Sequence, residues 1–202
     1  MATYNNTRNK KIYFIYDGKI HTGKGDAAEE FTGIDGVLKD IALVKVKVKG
    51  EERMFTEFQF EDAGEPFSVS CELHSWICIS IVRRLVNVKD FSKKILIETW
   101  LAEKMVDNVP RTFTNLSIIQ DEQRVEWVEL PEVEKFRLNT GEMGKSTKKR
   151  DDFIDSLIKD IQARLKPNAV RHEAPSGPAP IDDGPDGAYF GDGVDYQANI
   201  VE

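Results

Sequence analysis

Ser75-Trp76-Ile77-Cys78-Ile79-Ser80-Ile81-Val82-Arg83-Arg84-Leu85-Val86 decides how the rest of the chain is read. Its β-branched content suits a strand. Its spacing suits a helix, because Ile77, Ile81 and Leu85 recur every four residues. Ser75 stands where an N-cap belongs, and Arg83 and Arg84 lie where cations meet the negative end of a helix dipole. The spacing therefore predicts a helix over 75–86.

Upstream, the residues alternate. Lys11–Tyr16 is β-branched and aromatic, closed by the turn Asp17-Gly18, with a Gly-rich, charged loop from Lys19 to Glu30. A strand spans Gly36–Lys49, with Val44, Val46 and Val48 on one face and Lys45, Lys47 and Lys49 on the other. After a turn at Gly50-Glu51, Arg53–Glu61 sets Met54, Thr56, Phe58 and Phe60 against Arg53, Phe55, Glu57 and Gln59. Asp62–Pro66 turns the chain into a strand over Phe67–Leu73. Downstream, strands are expected at Lys93–Leu101 and at Thr112–Gln120, where Leu116 and Ile118 face the core, with Gln123–Val128 continuing the sheet past Asp121-Glu122. Phe58, Phe60, Phe67 and Trp76 are assigned to the core.

Three strands, a helix and two more strands, with an extra strand in front, predict a mostly β fold with helices. The layout is OB-fold-like: a five-stranded barrel over residues 1–138 with an added N-terminal strand. Residues 139–150 are polar and basic and read as a flexible loop. Residues 151–166 read as an amphipathic helix whose stripe is Phe153, Ile154, Leu157, Ile158, Ile161 and Leu165, stopped by Pro167. That helix either packs on the barrel or mediates self-association.

The charge is unevenly spread over the 202 residues. The chain has 28 basic and 35 acidic side chains, and seven of the acids lie in residues 173–202, where no Lys or Arg occurs. The net charge of −7 belongs to that segment, which also holds Pro175, Pro178, Pro180 and Pro185. It reads as a disordered acidic tail: an interaction arm carrying Asp182, Asp183, Asp186, Tyr189, Phe190, Asp192, Asp195 and Tyr196, or a solubilising tail. No apolar run is long enough to cross a bilayer, the first residues lack a signal-peptide core, and two cysteines cannot form a disulfide scaffold. A protein of the reducing cytoplasm, without membrane contact, is expected.

Binding an unpaired nucleic-acid strand needs cations along the phosphates and ring faces for the bases. Lys45, Lys47 and Lys49 form a cationic ridge, with Arg53 and Phe55 expected beside it across the Gly50 turn. Lys93, Lys94 and Trp100 repeat the pairing, and Tyr13 and Tyr16 beside Lys10 and Lys11 offer a third cluster. Such a lysine row also suits a plain solvated face or a guard on an edge strand.

A barrel of this layout followed by an acidic, Pro/Gly-rich tail resembles the single-stranded-DNA-binding proteins of bacteriophages and bacteria. The resemblance covers architecture, without a diagnostic motif. It implies sequence-independent coating of single-stranded DNA during replication, recombination or repair, in the host cytoplasm for a phage protein. The tail would recruit replication or recombination proteins and compete with DNA for the basic groove, and a homo-oligomer is compatible with it. The bacterial proteins close in Pro-Phe, whereas this sequence closes Asn199-Ile200-Val201-Glu202, which fits a divergent phage version.

Other readings carry less. Gly144-Lys145-Ser146-Thr147 lacks the earlier glycine of a phosphate loop, because Asn139 stands there. Cys71, His74 and Cys78 have metal-compatible spacing, with His21 or His172 as a remote fourth ligand, but read more simply as a strand end, a turn and a helix. No catalytic constellation, metal or cofactor is expected. The rivals to DNA binding are a protein–protein adaptor or virion β-domain and, further off, a small enzyme.

Overall fold

The computed structural model describes residues 10–22, 28–106, 108–137 and 143–166. The chain is mostly β with two helices. In chain order the elements are β1 (Lys11–Tyr16), β2 (Lys19–Thr22), β3 (Glu29–Phe31), β4 (Gly33–Val48), β5 (Glu51–Asp62), β6 (Glu65–Glu72), α1 (Trp76–Leu85), β7 (Lys94–Val106), β8 (Val109–Gln120), β9 (Gln123–Arg124), β10 (Glu134–Arg137), β11 (Met143–Ser146) and α2 (Lys148–Leu165). The first nine strands form one sheet in the order β3-β2-β1-β6-β5-β4-β7-β8-β9, and β10 pairs with β11.

The expected closed barrel is not formed. Each strand has two hydrogen-bonding edges, and β6 uses one on β5 and the other, in parallel, on β1. The far edge of β8 is taken by β9. The sheet curls nonetheless. A register shift between Leu38 and Asp40 bends β4. The β1–β2 turn reaches across to β7 and β8, where the Gly18 N–H donates to Thr114 Oγ1 at 2.9 Å. A Cβ at Gly18 would lie 2.6 Å from the backbone nitrogen of Leu101.

Tight turns set the register. Asp17-Gly18, Lys49-Gly50, Ala63-Gly64 and Asp121-Glu122 have positive φ at both central positions, the two-residue hairpin geometry that matches strand twist. The span expected as a loop from Lys19 onward contains β2 and the start of β3.

The helix expected at 75–86 is present. Ser75 Oγ accepts from the Cys78 N–H at 3.3 Å, and every residue from Cys78 to Leu85 is buried, so burial on all sides overrides the β-branched composition. Ile81 and Leu85 join Leu38, Ile41, Phe58, Ile95, Ile97, Leu116 and Ile118 in the core. Trp76 does not, being 45% exposed at the start of α1.

The helix α2 packs on this body. Ile154, Ile158 and Ile161 are buried in the same core, Gln162 Nε2 donates to the Ile41 carbonyl at 2.6 Å, and His74 Nε2 lies 2.8 Å from Asp155 Oδ1. It begins at Lys148, and residues 143–146 form β11, so this part of the span expected to be a flexible loop is regular structure. Residues 138–142 and the acidic tail lie outside the described residues.

Candidate nucleic-acid interface

Register fixes which side chains share a face. Because the turn joins Val48 to Glu51, Lys45 pairs with Met54 and Lys47 with Glu52, while Val44 pairs with Phe55 and Val46 with Arg53. Arg53 and Phe55 therefore lie on the opposite face of the sheet from the lysine ridge, contrary to expectation. Lys45 and Lys47 extend the face that carries Ile41 and Phe58 in the core, out onto the exposed end of the β4–β5 hairpin.

Several of the expected cations are already answered by carboxylates. Lys93 Nζ meets Asp121 Oδ2 at 2.7 Å, and Lys94 Nζ sits between Asp62 Oδ1 at 2.6 Å and Asp35 Oδ2 at 3.1 Å. These contacts raise the pKa of both lysines, through Asp121 for Lys93 and through Asp62, then Asp35, for Lys94. Lys45 pairs with Glu52 at 3.6 Å, and Arg53 pairs with Glu51 and Glu72. Lys47 and Lys49 are exposed and have no ion pair among the described residues.

The expected rings separate as well. Tyr13 is buried, with its ring edge-on to Phe31 and Phe67. Tyr16 is half-buried and lies flat on the His21 ring at 3.7 Å; burial, then Asp17 and Glu30, raise its pKa. Phe55 is half-buried on the outer face.

Trp100 keeps company that sequence reading missed. It pairs with Asn115 across the β7–β8 ladder, and along the same face Ala102 pairs with Phe113 and Lys104 with Arg111. Arg124 of β9 pairs with Ile119 on that face, and its guanidinium stands 5.9 Å from the Trp100 ring centre. Lys104, Arg111, Phe113 and Arg124 are exposed and Trp100 is half-buried. None of the three cations has an acidic partner among the described residues. The nearest acid in register on this face, Glu98, is opposite Ser117. The face thus combines two rings with three unanswered positive charges.

The other arginines with ring contacts serve the fold. Arg83 and Arg84 are buried under Trp127, with guanidinium carbons 5.6 and 4.8 Å from its ring centre. Arg83 Nε donates to the Val128 carbonyl, and desolvation lowers the pKa of both guanidinium groups. Arg164 stacks over Phe91 and donates to the carbonyls of Val86 and Val88. The Cys71 and Cys78 thiols are buried around Thr56, and His74 is taken up by Asp155 and Asp151.

No protein-family model matches the chain, and no curated protein or solved structure does either. Among the described residues no helix is long and apolar enough to cross a membrane.

Proposed function

We propose that the protein binds single-stranded DNA without reading its sequence, in DNA replication, recombination or repair, and that residues 173–202 compete with DNA for the cationic surface and recruit partner proteins. The observation that carries the reading is the β7–β8–β9 face, where Trp100 and Phe113 share one surface with Lys104, Arg111 and Arg124. Rings for any base and cations for phosphates are what sequence-tolerant binding requires.

Topology supports it. The five strands β4 to β8 lie in the order β6-β5-β4-β7-β8, with α1 between β6 and β7 in the chain. An oligonucleotide-binding barrel uses its 1–2 and 4–5 loops and the face of its second and third strands for the ligand. Although the barrel is not closed, the loops in the corresponding positions, counted from β4, are the β4–β5 tip, with Lys45, Lys47 and Lys49, and the end of the β7–β8 arm, with Lys104 and Arg111. The face of the second and third strands carries Arg53 and Phe55.

A gel-shift series on single- and double-stranded oligonucleotides over increasing salt tests this. Single strands should bind more tightly, and log affinity should fall against log salt with a slope of about −0.7 for each phosphate contacted. A flat response, or preference for duplex, would reject the proposal. Removing residues 173–202 should tighten binding at low salt and change it little at high salt, because the competing charges act through screened electrostatics. Unchanged low-salt affinity would dismiss the competition.

A further inference from the structure

Arg124 approaches Trp100 in a way that a phosphate contact does not need. It projects from the two-residue edge strand β9, and its guanidinium carbon is 5.9 Å from the centre of the indole. A base held between two flat groups at stacking distance occupies about 6.8 Å from plane to plane, twice the usual ~3.4 Å separation. The 5.9 Å from the guanidinium carbon to the ring centre is shorter than that span, so the guanidinium must swing away from the indole to admit a base. Arg124 is exposed and has no carboxylate partner among the described residues, so no ion pair holds its side chain against the indole. Beside the gap, Asn115 stands opposite Trp100 in the ladder. Its Oδ1 accepts from the Leu116 N–H at 3.0 Å, and no partner for its NH2 group occurs among the described residues.

We infer that Trp100 and Arg124 form a clamp that takes one unpaired base between indole and guanidinium, with the Asn115 amide beside the base edge. The inference rests on the single-strand reading above and gives it a physical basis: a base inside a duplex is stacked on both sides and cannot enter. It also explains a role for arginine. A guanidinium is planar and stacks, whereas an ammonium carries the same charge without a face.

Arg124→Lys separates the two functions. With a short oligothymidine, the lysine variant should bind roughly fivefold more weakly than the wild type, at the low end of what one stacked base contributes, with its salt slope unchanged. On an abasic oligomer of the same length the two proteins should bind alike. If Arg124→Lys binds oligothymidine like the wild type, and only Arg124→Ala lowers the slope by about 0.7, Arg124 holds a phosphate and the clamp is overturned. If wild-type protein fails to bind oligothymidine, the underlying single-strand reading falls, and the clamp with it.

Discussion

Neutralising Lys104 and Arg111 together should weaken single-strand binding roughly 60-fold at 50 mM salt, since each lost contact removes about 0.7 from the salt slope and close to a factor of eight in affinity there. The two side chains are direct cross-strand neighbours near the end of the β7–β8 arm. Like charges placed opposite each other oppose sheet pairing, so their juxtaposition is a mild liability in the free protein that a polyanion relieves. The double variant Lys104→Gln/Arg111→Gln should accordingly fold at least as stably as the wild type, as read by urea denaturation. The matched control is Lys93→Gln/Lys94→Gln. Those lysines are also exposed, but Asp121, Asp35 and Asp62 already answer their charge. Their loss should change affinity less than about threefold, because these lysines hold carboxylates instead of phosphates and the change in charge acts on a strand only through a field screened within about 10 Å. Equal losses in the two double variants would show that net charge alone, and not this face, governs binding.

The contrast between the two groups of cations also shows what the sequence could reveal. The helix α1 was legible because its cap and its four-residue spacing are local. The hairpin turns were legible for the same reason. Face assignment at the β4–β5 hairpin depends on loop length: strands read as ending at Lys49 and resuming at Arg53 leave three residues between them and set Lys47 opposite Phe55. With Lys49-Gly50 as the two central residues, Val48 must oppose Glu51 and Lys45 must oppose Met54, which puts Arg53 and Phe55 on the other face. The β7–β8 arm is hidden because local pattern ends one strand at Leu101 and begins the next at Thr112. Pro110 argues against a strand locally, yet it pairs with Met105 near the end of the arm. Extending the alternation Trp100, Ala102, Lys104 to that turn brings Phe113 and Arg111 onto the face.

What no local pattern could supply was the parallel pairing of β1 with β6, which occupies the edge that closure of a barrel would need. The carboxylates at Lys93 and Lys94 were equally hidden. Asp121 lies 28 residues from Lys93 and Asp35 lies 59 from Lys94, and only strand pairing within the curled sheet, β7 with β8 and β4 with β7, brings them together.

That curl makes the strongest stability prediction. Gly18→Ala should destabilise the protein by about 3 kcal/mol or more, whereas Gly50→Ala should cost only about 1 kcal/mol. Both glycines have positive φ, +71° at Gly18 and +89° at Gly50, so a side chain meets comparable backbone strain at either. Their surroundings differ. A Cβ at Gly50 has no atom within 4 Å, while one at Gly18 would sit 2.6 Å from both the Leu101 nitrogen and Leu101 Cγ and 2.9 Å from the Trp100 carbonyl carbon. Backbone atoms of a paired strand cannot yield as a flexible side chain can. The β1–β2 turn must lift from β7, and the hydrogen bond from the Gly18 N–H to Thr114 Oγ1 goes with it. Lifting the turn also uncovers Ile15 and Ile20, both buried beneath it. Urea denaturation of the two variants side by side isolates the close approach, because the shared backbone strain cancels in the difference. A difference under about 1 kcal/mol would mean that the turn does not bear on β7, and that hydrogen-bonded strand pairing alone holds the curled sheet together.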